Sequence, residues 1–68
     1  MPETPITFED VEVLTATSLT LRCRVQGKIV IVGRLQMLPG TTISFDGDRG
    51  TLVVPRWAVQ DLGLSEPQ

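Results

Sequence analysis

The sequence predicts an all-β fold: a five-stranded, SH3-like small barrel or rolled sheet with a short C-terminal helix. Three observations carry this expectation. Leu19, Leu21, Cys23 and Val25 alternate with Thr20, Arg22 and Arg24, the period-2 pattern of a half-buried antiparallel strand. Turn residues at Gln26-Gly27, Pro39-Gly40 and Asp46 to Gly50 break the Thr-, Val-, Ile- and Leu-rich chain at short intervals, as in small barrels and sandwiches. Finally, Pro55 stops an apolar run and a short helical stretch follows it, placed where proline suits the start of a helix.

The elements follow in order. The first strand is expected over about Glu9 to Ala16, with Val11 and Val13 on one face and Asp10 and Glu12 on the other. Thr17-Ser18 turns the chain into the Leu19–Val25 strand. The turn at Gln26-Gly27 admits two registers. A two-residue loop sets Val25 opposite Lys28 and places Val30 and Val32 inside; a three-residue loop sets Val25 opposite Ile29 and places Ile29 and Ile31 inside. A one-residue slip exchanges the two faces. Beyond Gly33, the apolar Leu35 and Met37 alternate with Arg34 and Gln36. That parity favours the three-residue loop, unless Gly33 is a bulge. After Pro39-Gly40, a strand from Thr41 to Phe45 carries Ile43 and Phe45 on one face. Thr51 to Val54 forms the last strand.

Arg56 to Leu62 makes about two helical turns, with Gly63 suited to the position after the helix end and Leu64 able to touch Val59. So short a helix must dock on the sheet. Trp57, Leu62 and Gly63 are therefore the expected structural anchors, with the indole of Trp57 plugging one end of the barrel.

Length sets further bounds. Sixty-eight residues make one domain, and such a chain buries only about 60% of its unfolded surface. Residues 1–5 read as a flexible leader, 6–64 as the domain and 65–68 as a flexible tail. Oligomerisation is one way to supplement so small a core. Disulfides within the chain are ruled out because Cys23 is the only cysteine, and with no histidine a closed zinc site lacks its ligands. The start, Met1-Pro2-Glu3-Thr4-Pro5, lacks the basic and apolar regions of a signal peptide. The longest aliphatic run, Ile29 to Val32, is far below the roughly 20 residues of a membrane helix. A cytoplasmic protein is expected, with no membrane partner.

The residues argue against catalysis. There is no His and no Tyr, and Ser18, Ser44 and Ser65 have no evident base. Cys23 falls at an inward strand position, where a thiol behaves as a small hydrophobe. Asp46-Gly47-Asp48 fails as a calcium loop, since Trp57 stands where the twelfth-position Glu would be; turn chemistry explains it better. No cofactor and no metal are expected.

Charge points to a surface. The net charge is −2, which is no general nucleic-acid footprint. Yet Arg22, Arg24, Lys28 and Arg34 lie in a stretch free of acids between Val13 and Phe45. With Val30 and Val32 among them in the favoured register, they form a mixed basic and aliphatic sheet face. The expected binding residues are thus Arg22, Arg24, Lys28, Val30, Val32 and Arg34.

The ending GTLVVPRWAVQDLGL, Gly50 to Leu64, resembles that of small phage and bacterial β-barrel proteins ending in sequences like GTLVIPEWLAEKKGL. A looser likeness covers Phe8 to Leu38. There Gly33-Arg34-Leu35-Gln36-Met37 takes the place of a Pro-Lys-Ser-Gln-Ile strand, with Ile31 for its Trp, Gly33 for its Pro and Leu35 for its Ser. The same ending is similar, more weakly, to the Ile-Pro…Leu-Gly-Leu element of swapped-hairpin, AbrB-like antitoxins and regulators, although only four residues follow Leu64 here. The first resemblance implies phage or mobile-element ancestry and carries no activity with it. The second implies a DNA-binding dimer.

The expected function is a non-enzymatic interaction module that binds a protein partner, or a second copy of itself, through the basic and aliphatic face. The alternatives are a swapped-hairpin DNA-binding regulator or antitoxin dimer and a sequestering protein for a small anionic ligand.

Overall fold

The structure is a computed structural model that describes residues 4–66. Its framework is a four-stranded antiparallel sheet in the order β3-β2-β1-β4, formed by β1 (Pro5–Ala16), β2 (Thr20–Val25), β3 (Lys28–Gly33) and β4 (Arg49–Pro55). A 3-10 turn, η1 (Arg34–Gln36), follows β3, and one helix, α1 (Arg56–Asp61), follows β4. The all-β expectation holds. The fifth strand and the closed barrel do not, because β3 and β4 remain the two edges of one sheet.

β1 is the longest element because it serves two partners. Its first part pairs with β4, from Pro5↔Pro55 to Glu12↔Arg49, and its second with β2, from Glu12↔Arg24 to Ala16↔Leu21. Two register shifts let it bend between them. The first, between Phe8 and Val11, holds Asp10 at φ 56. It flips the inward set from Ile6 and Phe8 to Val11 and Val13, all four buried, as one extra residue in a bulge must. This explains why alternation located only the second half of the strand from sequence.

The Gln26-Gly27 turn has both residues at positive φ, 55 and 77, the geometry of a type I′ hairpin. Val25 consequently pairs with Lys28, Cys23 with Val30 and Leu21 with Val32. The two-residue loop is the one adopted, and the favoured three-residue register is overturned. The parity beyond Gly33 misled because residues 34–36 form the η1 turn rather than strand, and Leu35 is fully exposed there. Gln26, left-handed without being glycine, is held from outside the turn. Its Nε2 donates to Ser65 O at 2.7 Å and its Oε1 accepts from Ser65 N at 3.1 Å.

The segment expected as a Thr41–Phe45 strand runs along β4 without becoming one. Leu38 N donates to Val53 O and Thr42 N to Thr51 O, but the return bonds come from side chains. Val53 N donates to Thr41 Oγ1 at 3.0 Å and Thr51 N to Thr42 Oγ1 at 2.9 Å. Hydroxyls thus replace carbonyls in the ladder. Ile43 is buried from this segment while Phe45 is exposed, so the two do not share a face.

The C-terminus closes the core. Ala58, Val59 and Leu64 are buried, and Leu62 packs partly buried against them. Gly63, at φ 72, lets Gly63 N reach Gln60 O and Leu64 N reach Val59 O, the paired bonds of a Schellman ending. Leu62, partly buried, and Gly63, left-handed, thus take part in this closure. Trp57 does not: its residue is 48% exposed, and the helix plugs the core with Ala58 and Val59 instead. Both are smaller than an indole, and Pro55 at the helix start is buried with them.

The strand begins at Pro5, inside the expected leader, and Thr4 O accepts Arg56 N. At the other end Ser65 bonds Gln26 and Glu66 pairs with Arg56 at 2.9 Å. The rest of the expected leader and tail, residues 1–3 and 67–68, lies outside the described residues. Among the described residues no helix is long and apolar enough to cross a membrane.

Candidate functional site: the outer face of the β2–β3 hairpin

The hairpin register decides which side chains share the solvent face. Arg22 is opposite Ile31 and Arg24 is opposite Ile29. All four are exposed, Ile29 at 51% and Ile31 at 62%. Val30 and Val32, expected on this face, point into the core at 8% and 0% exposure. The aliphatic component is therefore real but has different owners. The odd-numbered isoleucines provide it, and the valines pack beneath.

Three of the four cations are engaged within the chain. Arg34 lies at the end of the hairpin, where its Nε donates to Thr17 O at 2.8 Å and its Nη2 to Ser44 O at 2.9 Å. It ties the β1–β2 turn to the β3–β4 loop. Lys28 Nζ donates to Gly63 O at 3.0 Å, which ties the hairpin to the segment just beyond α1. Arg24 forms an exposed ion pair with Glu12 at 3.3 Å, a contact worth well under about 1 kcal/mol. It stays on the outer face and can exchange partners. Arg22 and Arg24 are thus the basic residues of the face, while Lys28 and Arg34 act as internal fasteners.

Further apolar groups extend the surface toward η1. Leu19 precedes β2 and is exposed rather than inward as alternation suggested, and Leu35 is exposed beside Arg34. Arg34 N donates to Leu19 O at 2.9 Å, so the two leucines flank one end of the hairpin. Of the large apolar side chains exposed among the described residues, Leu19, Ile29, Ile31 and Leu35 belong to the hairpin and its flanks, leaving Phe45 and Trp57 elsewhere. Such clustering marks an interaction surface more often than scattered exposure does.

Other candidate groups have structural roles. The Asp48 carboxylate accepts from Phe45 N and Ser44 N, both at 2.8 Å, and these bonds hold its pKa below the ordinary carboxylate value. Asp46 Oδ1 accepts from Ala16 N at 2.6 Å. Both acids shape the loop, in keeping with the turn reading. Cys23 is fully buried, and burial raises its thiol pKa, which disfavours the nucleophilic thiolate.

Sequence reasoning missed Ile29, Ile31, Leu19 and Leu35. The signal for the first two was present: glycine as the second of two loop residues is a type I′ marker. Comparison with protein-family models, curated proteins and solved structures gave no match.

Proposed function

We propose that this protein is a non-enzymatic interaction module whose outer β2–β3 face contacts a protein partner. One observation carries the reading: Ile29 and Ile31 stand in solvent on a regular sheet, directly beside Arg22 and Arg24. Apolar burial at the isoleucines supplies the affinity, and the two arginines orient an anionic rim on the partner. The cytoplasmic setting and the phage or mobile-element ancestry belong to the same proposal and rest on the sequence alone.

A nucleic-acid partner has less support. Lys28 and Arg34 are committed inside the chain, and the exposed aromatics Phe45 and Trp57 belong to the β3–β4 loop and α1, not to this face. Single-strand binding needs both a cationic track and stacking platforms.

The test is a capture experiment with cross-linking, comparing the natural chain with Arg22→Glu/Arg24→Glu and Ile29→Lys/Ile31→Lys. Captured partners should be lost from both double variants and retained by Glu9→Lys, on the strand β1. The reading fails if every partner stays bound to both double variants.

A further inference from the structure

We propose that β3 is a pairing edge for a second copy of this chain, joined antiparallel about a two-fold axis at Val30. The inference rests on reading the β2–β3 hairpin as the contact region and names its occupant.

Its basis is the direction of the backbone groups. In a two-residue hairpin with Val25 opposite Lys28, the even residues of β3 bond to β2. Arg34 N bonding Leu19 O continues that parity. The N–H and C=O groups of residues 29, 31 and 33 therefore face away from the sheet. Gly33 N is taken up by Gln36 Oε1 at 2.9 Å. Ile29 and Ile31 are left with outward groups that no bond among the described residues satisfies. The edge also lacks the usual protections of proline and bulge: its one lysine, Lys28, is turned to Gly63 O.

These groups complement themselves. Turned about Val30, Ile29 of one copy meets Ile31 of the other, and each pair exchanges two N–H···O=C bonds. The alternative two-fold register, with Ile31 opposite Ile31, needs Gly33 N and would have to break its bond to Gln36. The Gln36 side chain thus selects one register. In it, the four isoleucines form a continuous patch on the outer face, and the two Val30 side chains, at the rim of each core, adjoin on the inner face. Charge does not oppose the arrangement. The arginines lie one strand back from the edge, so those of the two copies are separated by three strand spacings, roughly 14 Å. That exceeds the screening length of about 8 Å at physiological salt. An isologous pair of this kind extends one sheet across both copies. A short strand buries less than the roughly 1,200 Å² of a permanent complex, so the dimer is concentration-dependent.

The experiment combines sedimentation with amide exchange by NMR, on the natural chain at about 10 µM and about 1 mM, a span suited to a small interface. The expected result is a monomer–dimer transition in which exchange at Ile29 and Ile31 slows about tenfold at the higher concentration, as the populated dimer protects those amides. Val30 and Val32 should be protected at both. Ile31→Pro removes an outward donor that the monomer does not use, so it should abolish the dimer while Val30 and Val32 keep their protection. A monomer throughout overturns the inference, and the contact-face reading then stands or falls on partner capture alone. A dimer that survives Ile31→Pro but not Ile29→Lys/Ile31→Lys also overturns it, by showing face-to-face contact that preserves the face. A dimer indifferent to both variants, with Ile29 and Ile31 exchange unchanged, overturns the inference and counts against the face as well.

Discussion

At the β4 edge, the chain itself supplies the missing strand; at the β3 edge none of the described residues does. The outward groups of Thr51 and Val53 are all met by the Leu38–Thr42 segment, through Leu38 N, Thr42 N and the hydroxyls of Thr41 and Thr42. The corresponding groups of Ile29 and Ile31 find no bond among the described residues; only Gly33 N, two residues beyond Ile31, is taken up, by Gln36 Oε1. The β4 side also carries the buried Leu52, Val53 and Val54, whereas alternate side chains of β3 stand in solvent. A small sheet that satisfies one edge with its own loop, and leaves an aliphatic edge open, divides its work. One side is closed by the chain's own loop, and the other presents Ile29 and Ile31 exposed.

Substitutions on the two edges should separate these roles. Leu52→Ala, in the fully buried position of β4, is expected to cost about 3 kcal/mol by urea denaturation, within the usual range for a core leucine and a large fraction of the stability of a small domain. Ile31→Ala on the opposite edge should stay within about 0.5 kcal/mol at low protein concentration, as for other surface positions. Equal costs would mean that β3 is buried and the contrast is false.

The hydroxyl ladder comes next. Thr41 Oγ1 accepts from Val53 N and donates toward Leu38 O or Val53 O. Thr41→Val keeps the shape and leaves Val53 N without its acceptor, which should cost about 1–3 kcal/mol and speed exchange of the Val53 amide. An unchanged Val53 amide would show that another acceptor can close this edge.

The smallest effect concerns the loop that brings the chain from one edge to the other. The Asp48 carboxylate is stabilised by the N–H groups of Phe45 and Ser44, which lower its pKa from 3.8. A group lowered in the folded state contributes stability above its unfolded pKa and loses it as pH falls through the folded value. The Ser44 and Phe45 amides should therefore lose protection as the pH drops below 3.8, and Asp48→Asn should remove that dependence. A flat profile in the natural chain would mean that the loop is held by other contacts, such as Arg34 on Ser44 O.

Much of this contrast could be read from the sequence, though not the side on which it fell. Period-2 alternation located β2, and Gly63 with Leu64 gave the helix ending, because both depend on local geometry. The bulge at Asp10 is set by how β1 bends to serve two partners. No local pattern announces it, so the first half of β1 was missed. The face of β3 turned on one residue of register. Gly27 pointed to the correct turn, but Leu35 and Met37 imitated a continuing strand across η1. Thr41 and Thr42 misled in another way, since β-branched threonines suit a strand and here use their hydroxyls to stand in for one. The candidate site was legible in its location and in Arg22 and Arg24; the valines were exchanged for isoleucines, and Lys28 and Arg34 for structural ties.

Residue-by-residue amide exchange on the dilute monomer tests the open edge most directly. Val30, Val32 and Val53 should exchange slowly, with Ile29 and Ile31 exchanging at nearly the rate of free peptide. Slow exchange at Ile29 and Ile31 with fast exchange at Val30 and Val32 would establish the opposite register, bury the isoleucines and contradict the open isoleucine edge.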